Sequence, residues 1–129
     1  MPQITHVTAI RDAMVNLVVD AIDAGTTDTT GDLVIMAAGD VEVATLTWTA
    51  TPAFGASATG TATMNAINND TNATGGTAVA FKFQDRDNVE VLRGVVGATG
   101  SGEDLELSST SIGATDTVSI TSFTYTGPT

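Results

Sequence analysis

The side chains with the widest chemical reach in this sequence are its carboxylates, and they gather most tightly in Asp85-Arg86-Asp87-Asn88-Val89-Glu90. Oxygen ligands at alternate positions suit a hard cation such as calcium, but a calcium loop also needs a glycine at its bend and a bidentate Glu closing it at a set distance. Both are missing here. Asp and Asn are ordinary turn residues, so the stretch is expected to be a hairpin tip. His6, the single imidazole, stands beside Thr5 and Thr8. A nucleophile–base pair needs a third group to orient the base, and no spacing supplies one, so His6 is expected to be a surface or capping residue. The stretches Ala73-Thr74-Gly75-Gly76 and Gly97-Ala98-Thr99-Gly100-Ser101-Gly102 fit neither a Walker loop nor a dinucleotide fingerprint, and neither precedes a helix that could hold a phosphate. They read as turns. With no cysteine there is no disulfide, iron–sulfur or thiol chemistry. Glycoside hydrolysis rests on the spatial separation of two carboxylates, which sequence spacing does not reveal, but the chain carries few aromatics to line a sugar cleft: one Trp, one Tyr and four Phe. No catalytic residue, no cofactor and no metal ligand is expected. The two residues singled out for a partner interface are Trp48 and Phe54, since aromatics dominate binding hot spots. Trp48 shares the parity of Leu46 and so also fits the core, while Phe54, in a loop marked by Pro52 and Gly55, fits either role.

The elements that position these residues follow from hydrophobic period. Ile10, Met14, Leu17, Val18 and Ala21 recur at helical spacing, with Thr5 or Thr8 available as a cap and Gly25 as a stop, which predicts a helix over about 6–24. Its apolar stripe is expected to cover a sheet, with a subunit contact as the alternative. From Leu33 the period becomes two. Strands are expected over 33–38 and 42–49, joined at Gly39-Asp40, then over 61–67, 77–84, 89–96, 104–108 and 117–125. The 77–96 pair has apolar residues on both faces and is expected to be central. In the last strand Val118 and Ile120 share one parity and Phe123 and Tyr125 the other, which predicts a bulge near Thr121-Ser122. The fold class is therefore mainly β: an antiparallel β-sandwich or barrel of about seven strands with one N-terminal helix, in a single domain over 1–129.

Composition narrows the partners. The chain has 129 residues, with 4 Lys+Arg against 15 Asp+Glu, a formal net charge of −11. Such a surface repels phosphate, so neither nucleic acid nor an anionic membrane is an expected partner. Charged residues make up only 15% of the chain, and Thr fills the gap with 24 positions, beside 18 Ala and 13 Gly. Lys82 is the only lysine, which removes the usual device for keeping sheet edges from pairing; either acids do that work or a partner covers the edges. The first residues hold no cationic or apolar run of signal-peptide type, and the longest apolar run, 33–38, is far shorter than a bilayer span of about 20 residues. The product is expected to be soluble where it is made.

Several segments together resemble a family of small structural proteins encoded by tailed bacteriophages. They are Arg11-Asp12-Ala13-Met14 with Val18-Val19-Asp20-Ala21-Ile22-Asp23-Ala24-Gly25, then Val43-Ala44-Thr45-Leu46-Thr47 leading to Pro52-Ala53-Phe54-Gly55-Ala56, and Ala73-Thr74-Gly75-Gly76-Thr77-Ala78. Asp85-Arg86-Asp87 before Val91-Leu92-Arg93-Gly94-Val95-Val96-Gly97, and 116–125 at the close, extend the resemblance over nearly the whole chain. It implies a virion component on the capsid exterior, assembled in the host cytoplasm: a head decoration, or cement, protein that binds the major capsid protein, bridges capsomers and forms a homo-oligomer, with a trimer expected. The alternatives are a tail, collar or fibre-associated protein and, from another class, a receptor- or glycan-binding module. The resemblance brings no functional residues with it.

Overall fold

A computed structural model describes residues 4–128. Among these residues the fold is mainly β with one helix, in the order α1 (Thr8–Ala21), β1 (Asp32–Ala37), β2 (Val41–Thr47), β3 (Thr61–Thr63), β4 (Gly76–Thr77), β5 (Ala80–Gln84), β6 (Glu90–Ala98), β7 (Leu105–Leu107), β8 (Ser111–Ile112) and β9 (Thr124–Thr126). Five strands form one sheet in the order β2-β1-β5-β6-β7, and the pairs β3-β9 and β4-β8 form two small ribbons. The β5-β6 pair is central, as its two-sided apolar pattern requires: β5 is hydrogen-bonded to β1 on one side and β6 on the other.

The β1-β2 hairpin turns at Gly39 and Asp40, both at positive φ, 76° and 60°, which a right-handed strand twist favours in a tight connection. One pairing departs from the antiparallel expectation. β6 and β7 run parallel although only a short segment joins them. Parallel neighbours normally need a dozen or more residues of crossover. Here Gly100 and Gly102, at φ 88° and 79°, let the chain double back, and the Glu106 carboxylate accepts hydrogen bonds from both their N–H groups at 3.0 and 2.8 Å.

Three strands are shorter than hydrophobic period predicts. The 77–84 segment is broken: Ala78 donates its N–H to Thr110 and Val79 to Met36, so the chain changes partner between them. Ala78 is buried and Val79 exposed, the reverse of the parity read from Val79, Phe81 and Phe83. The third strand stops at Thr63 and continues as isolated bridges, Phe54 with Met64 and Trp48 with Ile67. The last expected strand keeps Val118 in a bridge to Asp70 and becomes a ladder only at β9. Its alternation does fail at Thr121-Ser122, because residues 119–123 leave the sheet instead of bulging within it.

One face of the five-stranded sheet presents Leu33, Ile35, Ala44, Leu46, Phe81 and Phe83, all buried. Against it pack Val15, Val19 and Ile22 of the helix together with Phe54, Ala62 and Met64 from the segment that crosses back. Five aromatics tie the layers together. Phe83 lies 5.5 Å from Trp48 in an edge-on arrangement, 5.7 Å from Phe54 and 5.2 Å from Phe123 between ring centres. Tilted and edge-to-face geometry of this kind adds about 0.5–1.5 kcal/mol per pair beyond the burial itself.

The helix corrects two expectations. It runs over Thr8–Ala21, capped by Val7 with no side-chain hydrogen bond, so neither Thr5 nor Thr8 caps it. It also turns the opposite face inward. The buried residues are Val15, Val19 and Ile22, whereas Ile10 and Leu17, from the stripe expected to cover the sheet, are 49% and 76% exposed. The reason lies with polar partners. The Asp12 carboxylate accepts hydrogen bonds from the Ser57 hydroxyl and the Gly60 N–H, both at 2.7 Å. Asn16 accepts one from the Ser57 N–H at 2.8 Å, and Asp23 accepts one from the Ala53 N–H at 2.9 Å. These helix side chains satisfy backbone donors of the 53–60 loop that would otherwise lack partners, and that need orients the helix.

Candidate interaction surfaces

The two residues picked out as interface anchors lie inside. Trp48 and Phe54 are each 2% exposed, packed with Phe83 in the aromatic core. Trp48 follows its parity with Leu46. Phe54 is drawn in because the bridge to Met64 and the Ala53 N–H bond to Asp23 pin its loop onto the sheet. Neither offers a side chain to a partner in this conformation. The indole Nε1 of Trp48 is buried with no hydrogen-bond partner among the described residues.

The acidic 85–90 turn is a hairpin tip, and its carboxylates are spent on the fold. Asp85 accepts from the N–H groups of Asp87 and Val89, closing the tip on itself. Asp87 accepts from the N–H groups of Thr26 and Thr27, both at 2.9 Å, and Arg86 donates to the Asp28 carbonyl at 2.7 Å. The tip thus clamps the loop that follows the helix. The bonds from Thr26 and Thr27 hold the Asp87 carboxyl below the usual carboxylate range. The other arginines are also engaged within the chain. Arg11 donates to the Pro128 carbonyl at 3.0 Å, and Arg93 is paired with Asp40 at 3.0 Å and Glu90 at 2.7 Å. His6 is half-buried just ahead of the helix. Among the described residues no three His, Asp or Glu side chains are grouped to hold a metal ion, and no helix is long and apolar enough to cross a membrane.

Acids rather than lysines guard the sheet edges. Asp70 reaches the outer side of β2 and accepts the Thr45 N–H at 2.9 Å, while the Gly75 N–H takes the Val43 carbonyl. Asp104 accepts the Val95 N–H at 2.9 Å beside β6. A carboxylate laid over a strand N–H removes the donor that another strand would need. Sequence reading left open whether acids or a partner blunted the edges; at β2 and β6 the acids do. That Asp70 and Asp104 serve this way is not legible in sequence, because each meets its strand only through the chain's return, 25 residues from Thr45 and 9 from Val95, with no spacing to mark it.

Two surfaces remain uncommitted. The first is the outer face of α1. At 100° per residue, Ala13, Leu17, Ile10, Ala21, Met14 and Val18 fall within an arc of about 140° that holds no charged residue. Asp20 and Arg11 flank it. Ahead of it in the chain, Ile4 and Val7 are exposed as well, Val7 at 70%. In a chain of net charge −11 this neutral, apolar strip is distinctive. The second is a cleft of about 560 Å³ between β7 and residues 119–123. Buried Leu105, Leu107 and Ile120 line it along with Glu103, Asp104 and Glu106, and every charged residue lining it is acidic. Its sequence signal was the parity break at Thr121-Ser122, which marks the wall of the cleft.

Comparison with known protein families, curated proteins and solved structures found no match in any of the three.

Proposed function

We propose that this chain is a non-enzymatic structural component of a tailed-phage virion, a decoration protein that binds the major capsid protein on the outside of the head, bridges capsomers and stabilises the shell. The observation that carries this reading is the outward apolar face of α1. A helix that turns its polar side chains inward to hold a loop, and leaves Ile10 and Leu17 in water, has a surface suited to being covered by another protein. The whole-chain resemblance to phage structural proteins supplies the identity of that protein. Repetition over a shell lets each contact be modest, since many weak attachments act together. The acidic remainder of the surface suits an exterior position, where it does not compete for the genome. A receptor- or glycan-binding module would need Trp48, Phe54 and the acidic loops together in an exposed site, and with both aromatics in the core only the loops are left for it. The homotrimer expected from the resemblance is a separate claim, read directly by sedimentation equilibrium.

The test adds purified protein to heads that lack it. Wild-type protein should co-sediment with the heads and raise the temperature at which they release DNA. Leu17→Lys and Ile10→Lys, which place a charge on an already exposed face, should keep the fold and lose attachment. Heads equally stable with and without the protein would overturn the reading, and immunogold label confined to tails would move it to the tail or collar alternative.

A further inference from the structure

We propose that the cleft between β7 and residues 119–123 is a strand slot, which takes an extended segment of a partner chain carrying a lysine or arginine between apolar residues. The argument begins with the sheet. β7 is hydrogen-bonded to β6 along one side only, and as the last strand in the order it has an open second edge. That edge faces residues 119–123 across the cleft of about 560 Å³. The far wall is short of partners too: among the described residues, Ser119, Ile120, Thr121 and Ser122 make no backbone hydrogen bond, and the wall rejoins the ladder system only where the Phe123 carbonyl accepts from Met64. Unpaired backbone thus lines both sides of the opening, which is the geometry in which an added strand gains main-chain bonds.

Side-chain pattern then specifies the occupant. Along β7 Leu105 and Leu107 point into the core and Glu106 points to solvent. A strand laid on the open edge continues this alternation, so its residues beside Leu105 and Leu107 are apolar and the one between them lies on the face of Glu106. Glu103 and Asp104 extend the negative rim, and no lysine or arginine lines the cleft. Glu106 already receives the N–H groups of Gly100 and Gly102, but an ionised carboxylate has about four acceptor positions and keeps room for a cation. A second cavity of about 330 Å³ shares Asp104, Phe123 and Thr124 with the first, so the opening continues toward Tyr125, where Arg93, already paired with Asp40 and Glu90, forms part of the wall. Gly94 keeps that end clear, since a Cβ there would sit 2.6 Å from the Phe81 ring. Asp70 blunts the outer edge of β2 on the far side of the sheet, and Asp104, beside the slot, covers the Val95 N–H of β6, which leaves the free side of β7 as the unblunted edge of the five-stranded sheet.

This inference does not depend on the virion reading, and its test uses the isolated protein. The probe is a seven-residue peptide of alternating valine and lysine, titrated into the full chain labelled for amide NMR. The expected result is chemical-shift change concentrated at residues 105–107 and 119–122, with binding weakened as salt rises from low to moderate ionic strength. The same peptide with glutamate for lysine should not bind. A peptide N-methylated at alternate amides should bind far more weakly, because it cannot complete the ladder. Glu103→Gln, at a carboxylate with no structural hydrogen bond among the described residues, should weaken binding about threefold, the effect of one exposed charge pair. Glu106→Gln, which also loosens the 100–102 turn, should weaken it further. Equal binding of the acidic or N-methylated peptide, shifts located elsewhere, or no binding at all would overturn the proposal. So would saturation of the same residues by neutral oligosaccharides in place of the peptide.

Discussion

Single side chains in this protein act on stability with opposite signs. Asp32, at the start of β1, has its pKa raised to about 6, chiefly because burial penalises its charge and secondarily because Asp28 is near. The folded chain therefore holds a proton that the unfolded chain releases between about pH 4 and 6, and stability falls as pH rises through that window. Asp32→Asn should raise the melting temperature at pH 7, by the equivalent of about 1 kcal/mol once partial exposure is discounted, and leave it unchanged near pH 3.5. A gain of equal size at both pH values would refute this. Asp12 has the opposite sign. Hydrogen bonds from Ser57 and then Gly60 lower its pKa, so its contribution is present above the ordinary carboxylate range and is lost as pH falls through the lowered value. Asp12→Asn should therefore lower the melting temperature at neutral pH and flatten the acid limb of a stability–pH curve measured by thermal melts. At Trp48 the buried Nε1 lacks a partner, so Trp48→Phe removes an unsatisfied donor while keeping an aromatic ring near Phe83. Denaturant titration should place that variant within about 1.5 kcal/mol of wild type, against a loss of about 3–5 kcal/mol for Trp48→Ala.

At the scale of elements, the helix shows how far periodicity reaches. Its existence was legible from spacing, but two apolar sets share it: Val15, Val19 and Ile22 on one side, and Ile10, Met14, Leu17 and Ala21 on the other. Hydrophobicity ranks the larger set first. What decides between them is the company of Asp12, Asn16 and Asp23, which look like a solvent face in sequence and are in fact the hydrogen-bond acceptors for the 53–60 loop. The junction after the helix is equally tight. A Cβ at Gly31 would lie 2.5 Å from the Gln84 carbonyl and 2.6 Å from the Ile22 side chain. Gly31→Ala must push β1, β5 or the helix end apart, with an expected loss of about 2–4 kcal/mol in chemical denaturation. Gly39→Ala has open space around it and only its φ of 76° to strain, so it should cost about 1 kcal/mol. Equal losses for the two would show that close approach at Gly31 is not what matters.

At the scale of the whole molecule, charge and edge protection are one device. With one lysine in the chain, Asp70, Asp104 and Glu106 lie over backbone donors at strand edges and turns. The same acids that set the net charge of −11 also cover strand donors that would otherwise be open to random pairing. Acidification should therefore do more than lower stability. Near the isoelectric point of about 4.1 the net charge vanishes, so light scattering should rise there alike for wild type and for Asp32→Asn, whose substitution touches no edge, whereas Asp70→Asn, which weakens a cap, should scatter already at neutral pH. A scattering onset identical in an Asp70→Asn variant at neutral pH would show that the caps are dispensable.

The sequence by itself determined the β-rich class, a helix near the start, a central hairpin within 77–96, the glycine turns and the surplus of acid, because each depends on local period, turn chemistry or composition. Only the tertiary structure decided which helix face is wet, where Trp48 and Phe54 reside, that β7 lies parallel to β6, and that residues 119–123 stand off from the sheet. Those outcomes depend on which backbone donors and acceptors find partners across the fold, and hydrogen-bond satisfaction between distant segments leaves no periodic trace along the chain.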